Sequence, residues 1–125
     1  MKTIAGLENQ VKELQNKIDE MIEKKKYNGW SNYETWLVKL WLDNEQKTAD
    51  LQKEWLNRAK NTPKVDVWTI EETVKFTLAD ILKDEVNGMI PMRISNHADL
   101  WCDLINAGLS EVDWQEIADN IISDY

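Results

Sequence analysis

A disulfide framework is excluded at the outset, because Cys102 is the chain's single cysteine. A lone thiol beside an apolar Trp101 suits a reducing compartment rather than a secreted scaffold. One cysteine and one histidine, His97, fall short of the roughly three or four side chains that hold zinc. The same two residues also make a poor nucleophile–base pair, since a five-residue separation on a helix displaces them around its axis. Four glycines leave no glycine-rich phosphate loop. No apolar run approaches the ~20 residues needed to span a bilayer, and the opening MKTIAGLENQ lacks the apolar centre of a signal peptide. From Ile94 onward there is no lysine or arginine at all. With no catalytic grouping in view, no enzymatic activity, metal or cofactor is expected, and the residues point to a packed helical interaction domain.

Charge is plentiful but unevenly placed. The chain carries a net charge of −8; residues 1–26 are net +1 and residues 27–125 net −9. The lysine- and arginine-free segment holds Asp99, Asp103, Glu111, Asp113, Glu116, Asp119 and Asp124. Such a surface repels nucleic acid and attracts a basic partner. Asp99 with Asp103, and Asp113 with Glu116, share helix faces and could take a divalent ion, although a solvated face is the plainer reading.

Ile4, Leu7, Val11, Leu14, Ile18 and Met21 recur at alternating spacings of three and four. β-branched residues at a and Leu or Met at d favour a parallel two-stranded coiled coil. Three heptads span only about 30 Å, and so short a helix is marginal without a partner. Glu8, Gln10, Gln15 and Lys17 at the flanking positions carry no strong charge code, so the seam itself sets partner choice. A homodimer through this helix is expected; the alternative is that the stripe folds back on the rest of the chain. Lys24, Lys25 and Lys26 close the helix, where cations complement its dipole.

Three of seven tryptophans fall within the block YNGWSNYETWLVKLWLDNEQ, residues 27–46. Asn28-Gly29 marks a turn, and Ser31 with Glu34 reads as a capping box that starts a helix at Asn32. Tyr33, Trp36, Leu37, Leu40 and Trp41 follow helical spacing, with an interruption at Asp43 to Gln46 before Leu51, Trp55, Leu56 and Ala59 resume it. That implies two helices, or one bent near residue 44, ended by Pro63. Thr69 and Glu72 form a second box, opening a helix with Ile70, Val74, Phe76, Leu78, Ile81 and Leu82 as its apolar positions and Asn87-Gly88 at its end. Ser95 or Asn96 can cap a further helix carrying Leu100, Trp101, Leu104 and Ile105, with His97 in its first turn. Ser110 to Asp113 start the last, with Trp114, Ile117, Ala118, Ile121 and Ile122 inward. The expected fold is all-α: a coiled-coil helix over residues 1–26, then a compact Trp-rich acidic domain of four to five helices over residues 27–125. Within it the tryptophan block is expected to act as an internal frame, Trp36 and Trp41 separating neighbouring helices and Trp30 packing across the helix entrance.

The run Asn28 to Trp36, followed by Leu40-Trp41-Leu42-Asp43-Asn44 and later by Leu109 to Trp114, resembles a small uncharacterised family from bacteriophages, plasmids and other mobile elements. The heptad helix joined to a Tyr-Asn-Gly-Trp block is also similar to the starts of staphylococcal anti-CRISPR proteins, which inhibit Cas9. The resemblance implies the cytoplasm of a bacterial host and a host nuclease such as Cas9 as protein partner. With the charge map, it implies a noncatalytic inhibitor whose acidic surface imitates nucleic-acid charge. The alternative is a phage or plasmid structural or regulatory adaptor that oligomerises through its coiled coil.

Overall fold

A computed structural model describes residues 4–95 and 98–125. The cap expected of Asn96 and the first-turn placement of His97 lie outside those residues, as do the side chains of Lys24, Lys25 and Lys26. The fold is all-α, with helices α1 (Ile4–Lys26), α2 (Tyr33–Asn44), α3 (Gln46–Lys60), α4 (Ile70–Gly88), the single turn α5 (Met92–Ser95), α6 (Leu100–Ser110) and α7 (Trp114–Asp124). There is no strand among the described residues.

Helix α4 is the centre of the domain, packed between α3 and α7, with α2 laid against both of those. The core is Leu42, Trp55, Leu56, Ala59, Leu78, Ala79, Leu82, Val112, Ile117, Ala118 and Ile121. Their spacing on α3, α4 and α7 gives each helix one apolar face, so burying three such faces together removes the largest apolar area from water. Helix α1 makes no substantial packing contact with any other helix, and α6 leans mainly on the short α5.

Local signals decide where the helices begin. Thr69 and Glu72 form the reciprocal box expected of them, at 3.1 and 3.2 Å. At α2 the cap is Asn32 rather than Ser31: its Oδ1 accepts from the Thr35 amide at 2.9 Å. The Ser31 amide that Glu34 was expected to satisfy donates instead to Glu116 Oε1, 85 residues away, at 2.9 Å. The cap of α6 is Asp99, which accepts from the Cys102 amide, in place of the expected Ser95 or Asn96. Asp113 caps α7 by accepting from Glu116.

Two expected apolar faces point the other way. Leu100, Trp101 and Leu104 on α6 are exposed, and so is Ile70 at the start of α4. On α2 the buried residues are Thr35, Lys39 and Leu42, while Trp41 is 60% exposed. The tryptophan block is therefore not an internal frame: of the seven tryptophans only Trp55 is fully buried, while Trp30 and Trp114 are half-buried against the core. Trp68 stands edge-on to Phe76 at 5.0 Å, covering the α3–α4 connection.

Candidate functional site

Three features of the chain bear on function: the α1 seam, the acidic α6–α7 segment and a clasp that joins α2 to the start of α7.

The seam is open along its whole length. Ile4, Leu7, Val11, Leu14, Ile18 and Met21 are between 49% and 77% exposed, and Ile22 beside them is exposed as well. The stripe does not fold back on the domain. A 23-residue helix with this much unburied apolar surface lacks the tertiary packing that normally stabilises a helix in water.

The seven acids of the C-terminal segment all lie on or next to α6 and α7, and six of them are exposed; Glu116 is half-buried. Their local tasks differ. Asp99 and Asp113 are caps, each carboxylate accepting a backbone N–H at the positive end of its helix. Glu116 accepts from the Ser31 amide. Asp119 faces Lys75 at 2.9 Å, the one ion pair these acids make among the described residues. Asp103, Glu111 and Asp124 are exposed, and their carboxylates make no ion pair among the described residues. No group of three or more potential metal ligands occurs among the described residues. Nor is any described helix long and apolar enough to cross a membrane.

The clasp was not anticipated. Asn32 Nδ2 donates to the Glu111 carbonyl at 2.7 Å, the Asp113 amide donates to Thr35 Oγ1 at 2.9 Å, and the Ser31 amide donates to Glu116. Two separated motifs, Ser31-Asn32-Tyr33-Glu34-Thr35 and Glu111-Val112-Asp113-Trp114-Gln115-Glu116, thus satisfy each other's helix-end groups, which otherwise lack intrahelical partners. Thr35 is wholly buried there. Polar residues of the block, beside Trp30 packed against the core, hold the domain's two ends together. Thr35→Val keeps the shape and removes the acceptor, leaving the part-buried Asp113 amide unpaired. It is expected to cost about 1–3 kcal/mol, read as a lower urea midpoint with unchanged helix content; an unaltered midpoint would show the clasp to be unimportant.

A family model described as a family of unknown function (DUF7249) matches residues 23–123. The matched span opens in the last turn of α1, so most of the exposed seam lies ahead of it, while both halves of the clasp lie within it. No curated protein and no solved structure matches the chain. With four-fifths of its length matched, including every helix of the packed domain, the chain belongs to the DUF7249 family.

Proposed function

We propose that the chain is a noncatalytic acidic inhibitor from a mobile element that dimerises through α1 and occupies a basic nucleic-acid site on a host defence nuclease. Cas9 is the target that the sequence resemblance implies. The observation that carries this reading is the charge of α6 and α7: six exposed carboxylates, of which only Asp119 is ion-paired among the described residues, and no lysine or arginine of their own. B-DNA carries one phosphate charge per ~1.7 Å of axis, and nuclease channels are lined to receive that density. An acid-only pair of helices offers the same sign to the same channel, with fixed backbone positions supplied by the Asp99 and Asp113 caps.

Purified Cas9 orthologues and unrelated restriction enzymes, assayed for DNA cleavage with excess protein, test the proposal. Inhibition of at least one Cas9 is expected; complete cleavage by all would sink it. The carboxylates of Asp103, Glu111 and Asp124 are exposed and make no ion pair among the described residues, so a triple Asp103→Asn, Glu111→Gln, Asp124→Asn variant should fold normally. Its inhibition should weaken by about tenfold or more, ~1.4 kcal/mol. Undiminished potency would move the contact away from these helices.

A second reading is favoured by α1, whose open seam lies largely ahead of the family span. A phage or plasmid adaptor would use that seam to join another coiled-coil protein. Recovery of a virion or replication protein by pull-down, dependent on Leu7 and Leu14 and without any nuclease, would favour it.

A further inference from the structure

Helix α2 is apolar around most of its circumference, and the side it turns to the core presents Thr35, Lys39 and Leu42. Tyr33, Trp36, Leu37, Leu40 and Trp41 are left outside, at i, i+3, i+4, i+7 and i+8, so they form one continuous stripe. Tyr33 and Trp41 are exposed; Trp36, Leu37 and Leu40 are half-buried without joining the core. The Tyr33 ring leans on Trp36 at 5.5 Å, which holds both in place. Three aromatics on one helical face is the composition of interface anchors rather than of a solvated surface.

Toward its C-terminal end the stripe borders an apolar groove of about 420 Å³, lined by Leu37, Val38, Trp41, Val86 and Met89 with Glu45. That volume accepts a bulky apolar side chain. The unbranched thioether of Met89 allows the groove to adapt to its shape.

Charge selects the partner. Lys39, the one base on α2, is buried and already bonded to Asp43 at 2.6 Å and Gln52 at 2.7 Å. Glu34 and Glu45 make no ion pair among the described residues, so the edge of the stripe is acidic. A second copy's α2 would bring the same acids against these, and nucleic acid would be repelled. A helix with an apolar face flanked by lysine or arginine satisfies both the groove and its rim. We propose that the outer face of α2, with the Trp41–Met89 groove, binds a basic amphipathic helix of a protein partner and seats one of its large apolar side chains in the groove. This surface shares no residue with the α1 seam or the α6–α7 acids, so it stands apart from the inhibitor reading.

The probe is a synthetic amphipathic helix with leucine on one face and lysine on the other, titrated into the full chain. A leucine–glutamate helix of the same length serves as control. Binding of the lysine peptide is expected, with a blue shift of tryptophan emission. Trp41→Ser and Met89→Asp, both at exposed side chains, should each weaken it by about tenfold or more, as loss of an anchor does. Leu100→Asp on the exposed face of α6 should leave it unchanged. Failure of the lysine peptide to bind, equal binding of the glutamate peptide, or affinity untouched by Trp41→Ser and Met89→Asp would each overturn the proposal. So would loss of binding on Leu100→Asp alone.

Discussion

Replacing Gln52 with leucine is expected to lower stability by about 2–3 kcal/mol, even though it puts an apolar side chain into a fully buried site. The amide oxygen accepts from Lys39 Nζ at 2.7 Å, and its nitrogen donates to the Leu42 carbonyl at 3.1 Å and to Asp43 Oδ1 at 3.0 Å. These bonds span the break where Glu45, in extended conformation, separates α2 from α3. Thr48 supports the same junction by donating to the Leu42 carbonyl at 2.8 Å. Without the glutamine, the ammonium of Lys39, 5% exposed, keeps Asp43 and loses its bond to the amide oxygen at a site with little access to solvent. Removing both partners is a different matter. A Lys39→Met, Gln52→Leu double variant leaves Asp43, half-exposed, free to be solvated, and should return to within about 1 kcal/mol of wild type. Urea midpoints of the two singles and the double read the coupling. A harmless Gln52→Leu, or a double as damaged as the sum of the singles, would mean the network does not hold the junction.

Dissociation of the proposed dimer is the larger expected effect. Leu7→Asp with Leu14→Asp places four carboxylates in the proposed seam in place of four leucines, each worth roughly 1.5–3 kcal/mol when buried. A loss of roughly 6–12 kcal/mol exceeds what a short two-stranded coiled coil can supply, so light scattering should report the mass of one chain rather than two. Helix content should fall as well, because α1 has no substantial packing against another helix to sustain it. No residue of α1 belongs to the core or to the hydrophobics packed against it, so the core's unfolding midpoint should stay put. A wild-type chain that is already monomeric at working concentrations would refute the dimer.

What was readable from the residues depended on whether one face of a helix was distinctly apolar. In α7 the stripe of Ile117, Ala118 and Ile121 is unambiguous, and those residues are wholly buried. Trp55, Leu56 and Ala59 on α3, with Leu78 and Leu82 on α4, behave in the same way. Helix α2 offers no such contrast: with Trp, Leu, Val and Tyr on nearly every side, periodicity cannot choose a face. The choice is made by Thr35, Lys39 and Asn32, whose partners lie 78, 13 and 79 residues further along the chain. Polar side chains with distant partners leave no local trace. The same limit shifted the α2 cap by one residue, because Glu116 takes the amide that Glu34 was expected to satisfy. On α6, spacing identified an amphipathic helix correctly but could not say that its own domain would leave Leu100, Trp101 and Leu104 uncovered. The position of the acids was legible; their work as caps at Asp99 and Asp113 emerged only with the helix boundaries.

The clasp also sets how the domain bears load. A partner that grips α1 pulls through the turn at Asn28 and Gly29, both at positive φ, directly into Ser31 and Asn32. Those residues are bonded to Glu116 and to the Glu111 carbonyl, and Thr35 to the Asp113 amide. Tension entering at the first residues of the domain is thus shared at once with the start of α7, near the other end of its chain. Helix α2 cannot be peeled away from α3 before three hydrogen bonds to α7 and the segment before it have yielded, so the point where a tether attaches is also where the domain resists being drawn apart.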